Sequence, residues 1–240
     1  MSGSWVLVIL VLVSSLPVIA VYIWFLSAKY QLSLVQFLLA LLAGAAAIFP
    51  ALVLQDLLNF SFTASIRVQL FYQFFIRVAL IEELSRLLMM FIFLWISALF
   101  FKATHIKPDE DPNHNHTICA VKKGTAIGLI GGLGFSILES ARHMASHMDI
   151  GLLLLRFFTA ALHGACGSRI GAAAVLFRTN PIQSTLRIFT ATAIHGIYNF
   201  MVTIPGIPVI AAFLIAVSAL ISALLILRGG WTLDKTHENL

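Results

Sequence analysis

Charged residues are scarce in this sequence. Only 10% of its 240 residues are Asp, Glu, Lys or Arg, whereas 60% are hydrophobic. Because soluble domains carry about 25% charged residues, this composition excludes an ordinary water-soluble fold. No polar stretch is long enough to form a separate soluble domain. We therefore predict one integral membrane domain over residues 1–240, with the lipid bilayer as its main partner.

Cysteine is scarce as well, with only two in the chain. Cys119 and Cys166 form neither a disulfide framework nor a Cys-x-x-Cys metal pair. The basic residues are scattered and do not form a stripe interleaved with aromatic residues, so nucleic acid is not an expected partner. These absences leave the membrane-spanning segments as the place to look for function.

Apolar runs dominate what is present. A transmembrane helix needs about 20 apolar residues, and seven such runs predict an all-α, polytopic transmembrane helix bundle. The predicted spans cover about 5–27, 33–55, 70–101, 124–147, 150–176, 186–204 and 207–227. The connection 102–123 is the one sizeable polar loop that this assignment leaves.

Lysine and arginine predict the orientation, because short cytoplasmic loops are enriched in both. Seven spans place the two termini on opposite sides of the membrane. A cytoplasmic C-terminus leaves Arg67 outside, with Arg142 and Arg156 near that interface. The basic residues then inside are Lys29, Lys102, Lys107, Lys122, Lys123, Arg178, Arg187, Arg228 and Lys235. We predict a multi-pass protein of the plasma membrane with its N-terminus outside and its C-terminus in the cytoplasm.

Ionisable residues nevertheless occur inside four of the predicted spans. An acid or arginine at mid-bilayer costs roughly 2.5–3.5 kcal/mol on insertion scales. Such groups at similar depth on four helices must face one another or a wet cavity, which predicts one functional site. Its candidate residues are Glu82, Glu83 and Arg86 in the third span, Glu139 in the fourth, His163 in the fifth, and His195 with Asn199 in the sixth.

Helical spacing supports this convergence. Arg86 lies four residues after Glu82 and three after Glu83, so either acid can pair with it. The two acids point about 100° apart around the helix axis, so one can pair with Arg86 while the other faces a cavity. His195 and Asn199 share a helix face, from which the amide can orient the imidazole or bind a substrate carbonyl.

Glycines predict how two of these spans pack. Gly124, Gly128 and Gly132 repeat every four residues in the fourth span, and Gly167 and Gly171 do so in the fifth. Small residues at this spacing let two backbones approach closely within a membrane. Close packing of the fourth and fifth spans would bring the acid of one near the histidine of the other.

Four motifs follow one another in a recognisable order. They are Glu82-Glu83-x-x-Arg86, Gly132-Leu133-Gly134-Phe135 leading to Glu139, His163 after Arg156, and His195-x-x-x-Asn199. With Ala47-Ile48-Phe49-Pro50-Ala51, this order resembles the PrsW family of intramembrane proteases from about Gly44 to Val202. The resemblance implies a catalytic core over about 44–202 that cleaves a membrane-embedded or juxtamembrane peptide bond. The implied substrate is a membrane protein, an anti-sigma factor in the family's namesake.

Two mechanisms are open at this stage. Without metal, one glutamate of the third span deprotonates water, Glu139 and His163 position water or protonate the leaving amine, and His195 with Asn199 polarises the scissile carbonyl. With metal, Glu139, His163 and His195 bind Zn²⁺ as a two-His, one-carboxylate site, and Glu82 or Glu83 is the base.

Two other functions use the same residues. In a small transporter or ion pathway, buried acids and histidines relay protons or bind a cation, although the internal repeats of many transporters are not visible here. A CAAX-type prenyl-protein protease shares the paired glutamates, but in that family the arginine usually comes one residue later than Arg86. The spacing therefore favours the PrsW family.

Overall fold

A computed structural model describes residue 16 and the ranges 19–21, 23–24, 32–60, 64–100, 114–146, 150–203 and 209–229. All regular elements in these ranges are helices, so the predicted all-α class is confirmed. Among the described residues, three segments are long and apolar enough to cross a membrane, namely Leu34–Leu57, Ala120–His143 and Ile210–Leu227. The count of seven spans therefore stays a prediction, and most of its first span, 5–27, lies outside the described residues.

Eight α-helices and one π-helical segment make up the longer described ranges. They are α1 (Leu34–Ala46), α2 (Ile48–Leu57), α3 (Ile66–Phe71), the π segment (Tyr72–Leu80), α4 (Ile81–Phe100), α5 (His114–Ser146), α6 (Ile150–Leu176), α7 (Pro181–Thr203) and α8 (Val209–Gly229).

The second predicted span is divided into α1 and α2 at Ala47. Pro50 has no amide hydrogen, and its ring would clash with the carbonyl of Ala46 in a continuous helix. At its other end, α1 begins with a capping box, in which Ser33 and Gln36 each bond the other's backbone amide through their side chains.

The third predicted span is one continuous run of helix from Ile66 to Phe100, with the π segment in its middle. Helices with i→i+5 bonding are rare and frequently occur at functional sites. The π segment ends at Leu80, two residues before the first glutamate of the predicted site. It therefore sets the rotation at which α4 presents its acids.

Two helices begin five or more residues earlier than the apolar runs predict. Helix α5 begins at His114, so the expected loop 102–123 is wrong for its last ten residues, which continue the helix beyond the apolar run. Helix α7 begins at Pro181, where Asn180 Oδ1 accepts a hydrogen bond from the Gln183 amide at 3.1 Å. An Asn N-cap followed by proline at the first helical position is a strong start signal.

Glycine contacts fix the position of α5. A Cβ at Gly128 would meet the carbonyl oxygen of Gly167, and one at Gly132 would meet that of His163. The predicted close approach of these two helices is therefore confirmed. A second glycine contact, which the spacing did not predict, lies on another face of α5, where a Cβ at Gly44 of α1 would meet the Gly131 backbone.

Helix α6 lies at the centre of the bundle and contacts α4, α5, α7 and α8. Its side chains Leu162, Cys166 and Ile170 are fully buried. Because the three other helices with predicted site residues all pack against α6, the acids and imidazoles have one common neighbour.

Candidate functional site

Glu83 lies at the innermost point of the site and is completely buried. Its Oε1 accepts from Arg86 Nη2 at 2.5 Å and lies 2.8 Å from His195 Nδ1. Arg86 also donates through Nη1 to the carbonyl oxygen of His163 at 3.3 Å, and its guanidinium carbon lies 4.8 Å from the centre of the Phe135 ring. Glu83 Oε1 and Arg86 thus form an ion pair that links α4, α6 and α7, whereas Glu83 Oε2 is buried without a hydrogen-bond partner.

Glu82 has a different environment from its neighbour. Its Oε1 accepts a hydrogen bond from Gln55 Nε2 of α2 at 3.0 Å. Its Oε2 is buried without a hydrogen-bond partner and lies 3.6 Å from His195 Nε2. The spacing left open which acid pairs with Arg86, and the structure gives that contact to Glu83 and leaves Glu82 beside a cavity.

His163 and Glu139 are in direct contact across the α5–α6 interface. His163 Nε2 lies 2.7 Å from Glu139 Oε2, whereas His143 Nε2 lies 3.5 Å from the other oxygen. His163 is fully buried, and its Nδ1 has no hydrogen-bond partner. The rings of His163 and His195 lie 5.0 Å apart and are nearly perpendicular.

Three buried side chains converge at distances compatible with a metal site. Glu82, His163 and His195 each offer one ligand atom, and these atoms lie within 4.8 Å of one another. The sequence predicted Glu139 in this set; in the structure Glu139 bonds His163, and Glu82 is the acid that converges with the two histidines. Spacing along one helix does not fix its rotation against another, so the sequence could not choose between these two acids.

The donor set fits a divalent ion such as zinc. Two imidazoles and a carboxylate are common zinc ligands, and two of the potential donor atoms, Glu82 Oε2 and His163 Nδ1, are buried without a partner. With all acids ionised, Glu82, Glu83 and Glu139 together with Arg86 carry a formal charge of −2. A divalent cation would balance this charge in a region where unbalanced charge is costly.

A cavity of about 260 Å³ lies beside these groups. Glu82 and Glu139 lie in its wall with Asn199, whose side chain has no hydrogen-bond partner among the described residues. The contact between Asn199 and His195 that was one of two predicted roles is therefore not formed. The apolar walls of the cavity include Ile48, Leu52, Phe74, Val78, Phe135 and Val202.

Three residues at the cavity were not predicted as functional. Gln55 contacts Glu82 from α2, and Tyr198 Oη lies 3.0 Å from Thr159 Oγ1 in the cavity wall. A lone amide near the end of an apolar span was the available signal for Gln55. Thr159 gave none, because a single hydroxyl within a helix usually bonds its own backbone.

Fold and site together define a class, the helical membrane proteins with buried acids and imidazoles around a cavity. Within that class, the model of the PrsW family of intramembrane metalloproteases matches residues 33–226, and the chain belongs to this family. The predicted resemblance is confirmed, and the match extends beyond both ends of the predicted core. Neither the comparison with curated proteins nor that with solved structures gives a match. At the level of the family, the chain is a membrane protease whose substrates are membrane proteins.

Proposed function

We propose that this chain is a metal-dependent endopeptidase that cleaves a membrane-embedded or juxtamembrane protein segment in the cavity beside Glu82. The observation that carries the proposal is the convergence of Glu82, His163 and His195 within 4.8 Å. These residues would hold the metal, which supplies Lewis acidity when it is bound.

The two histidines are arranged as metal ligands usually are. His195 Nδ1 lies 2.8 Å from Glu83, and His163 Nε2 lies 2.7 Å from Glu139. A carboxylate on the far nitrogen fixes the tautomer and ring orientation of a ligating imidazole. Glu83 and Glu139 therefore act as orienting partners, and the second nitrogen of each ring is left for the metal.

Glu139 is the proton acceptor in this proposal. Glu83 pairs with Arg86 and does not line the cavity, and Glu82 belongs to the ligand set, whereas the Glu139 side chain is 14% exposed and lines the cavity. Its Oε1, the oxygen not bonded to His163, takes a proton from water as the water oxygen bonds to the scissile carbonyl carbon. The same proton then passes to the amine nitrogen as the C–N bond breaks. Asn199 donates from its amide to the carbonyl oxygen, where negative charge develops.

The depth of the site favours a bond between mid-membrane and one surface, since His163 lies midway along α6, thirteen residues from either end. Glu139 lies seven residues before the end of α5, and His195 lies eight before the end of α7, or about 10 and 12 Å along these helices. In the predicted orientation, with seven spans in one plasma-membrane domain, this surface is the outer one. An anti-sigma-factor-like substrate is proposed from the family resemblance alone.

The test compares membrane protein fragments from cells that express the wild type or Glu82→Gln. We expect fragments whose new termini map between the middle and one end of a transmembrane segment and that disappear with the variant. Unchanged fragment patterns, together with ion flux that Glu82→Gln abolishes, would instead support a transporter.

Metal analysis of the purified protein separates the two mechanisms. The proposal expects about one zinc or similar ion per chain and loss of cleavage in chelator. Cleavage that persists in chelator by metal-free protein would support the mechanism in which Glu82 itself deprotonates water.

A further inference from the structure

The contact between Gln55 and Glu82 joins two helices that are distant in sequence. Gln55 Nε2 donates to Glu82 Oε1 at 3.0 Å across 27 residues of chain. This bond leaves Oε2 as the oxygen nearest His195 Nε2, at 3.6 Å. A carboxylate held through one oxygen presents the other in a fixed direction, since rotation about its terminal torsion is otherwise nearly free.

Gln55 is itself held by the π segment. Arg77 Nε donates to the Gln55 carbonyl oxygen at 2.9 Å, and Arg77 Nη1 donates to Gln73 Oε1 at 3.0 Å. Gln55 lies in the last turn of α2, where carbonyls lack intrahelical partners and the helix dipole favours a cation. Arg77 therefore caps α2 and fixes the point from which the Gln55 amide reaches the acid.

We propose that Gln55 is a positioning residue that aims Glu82 Oε2 at the metal, with Arg77 holding Gln55 in place. This inference rests on the proposed function. It also gives a role to the contact between α2 and the π segment. Arg77 of the π segment bonds the backbone of Gln55, and the Gln55 side chain bonds Glu82. Gln55 also lines the cavity, so the opposing explanation is that it contacts substrate.

The experiment measures zinc affinity by competition with a chromophoric chelator, using the full chain in detergent. Gln55→Met keeps the length of the side chain but cannot donate a hydrogen bond. Gln69→Met is the matched control, because Gln69 bonds the Ala64 carbonyl oxygen and has no hydrogen bond to Arg77 or Glu82. Loss of an outer partner typically costs 10–100-fold in metal affinity, and we expect a loss in this range for Gln55→Met and less than about twofold for Gln69→Met.

Kinetics distinguish positioning from substrate contact. With the substrate found in the fragment comparison, we expect Gln55→Met to lower kcat and leave KM unchanged. Equal zinc affinity in Gln55→Met and wild type, or a rise in KM alone, would overturn the inference. If Gln55→Met does not fold, Gln55→Asn, whose amide is one methylene too short, replaces it with the same expected results.

If the wild type binds no zinc, the positioning role of Gln55 is also overturned. Cleavage of the same substrate by this zinc-free protein would then show that the protease function holds without a metal. The two failures are therefore separable.

Discussion

Two arginines are buried in this bundle to almost the same degree, Arg86 with 4% and Arg169 with 7% of its surface exposed. Arg86 bonds the Glu83 carboxylate and lies beside His195. Arg169 bonds backbone carbonyls and, on α8, the Ser222 hydroxyl. Within the part of the chain that the structure describes, no carboxylate lies within ion-pair distance of Arg169.

The difference lies in what surrounds each guanidinium. Around Arg86, three potential ligand atoms are buried without partners, namely Glu82 Oε2, Glu83 Oε2 and His163 Nδ1. The Arg169 contacts are complete without a ligand, and they tie α6 to α8. Arg169 lies six residues after His163 on the same helix, about 9 Å along the axis. Burial of charge therefore does not identify the site, whereas unused ligand atoms next to a cavity do.

The largest expected effect is on cleavage activity, which should depend on the surroundings of Arg86 and not on those of Arg169. Glu82→Ala and His195→Ala remove ligands of the proposed metal and should each lower kcat/KM by more than about 10³-fold. Arg169→Met should retain cleavage within about threefold, because it touches no group of the site. The measurement is cleavage in proteoliposomes, normalised to protein that elutes as a folded species. A folded but inactive Arg169→Met would remove the distinction between the two arginines.

Stability should separate the same two arginines. Arg86→Met leaves Glu83 as an uncompensated buried charge, and breaking such a pair typically costs about 3–5 kcal/mol. Arg169→Met leaves only neutral acceptors without their donor, and the smaller cost of about 1–3 kcal/mol is typical for an unsatisfied buried polar group. Unfolding of both variants in mild detergent with added denaturant measures the difference.

A double variant identifies the cause. Arg86→Met combined with Glu83→Gln should recover much of the lost stability without recovering cleavage. If the double variant is no more stable than Arg86→Met alone, the cost arises from packing and not from the unpaired acid.

Much of the fold followed from local patterns in the sequence. Apolar runs predicted the helices, and the four-residue glycine spacing predicted the α5–α6 contact because both signals lie within single helices. The π segment was not predictable from apolar periodicity, since the residues 72–80 read as part of one apolar run. The early start of α5 was missed because the length of an apolar run indicates how much of a helix lies in the membrane. It does not indicate how far the helix continues outside it.

The site was predictable in its members but not in its contacts. The acids and histidines were predicted because ionisable groups are costly to place at mid-bilayer. The spacing within α4 predicted that one acid would pair with Arg86. Glu139 was predicted to converge with the two histidines, and Glu82 does so in the structure. Which acid converges depends on how the helices are rotated against each other. The role of Gln55 depends on a contact across 27 residues, which no local pattern encodes.

Asn199 extends the comparison to neutral polar groups. Its amide has no hydrogen-bond partner among the described residues and lines the cavity, whereas Thr190 on the same helix bonds the Leu186 carbonyl at 2.7 Å. Loss of one donor to a developing oxyanion costs about 10²–10³ in kcat. We expect a loss in this range for Asn199→Ala and none beyond about twofold for Thr190→Ala. A KM effect alone in Asn199→Ala would assign the amide to substrate binding.

The smallest expected effect concerns the helix contact that holds His163 in place. A Cβ at Gly132 would meet the His163 carbonyl oxygen, whereas one at Gly164 would meet the Leu133 side chain at 3.4 Å and the Leu129 carbonyl oxygen at an ordinary contact distance of 3.8 Å. Gly132→Ala must therefore separate α5 from α6, and overpacking of this kind typically costs about 1–3 kcal/mol. Gly164→Ala should be tolerated, because a leucine side chain can shift by a few tenths of an ångström. Thermal unfolding and cleavage measured on both variants should fall together for Gly132→Ala and stay near wild type for Gly164→Ala. If Gly164→Ala loses cleavage at unchanged stability, activity depends on the backbone beside His163 itself. The packing of α5 against α6 would then not be the cause of the loss.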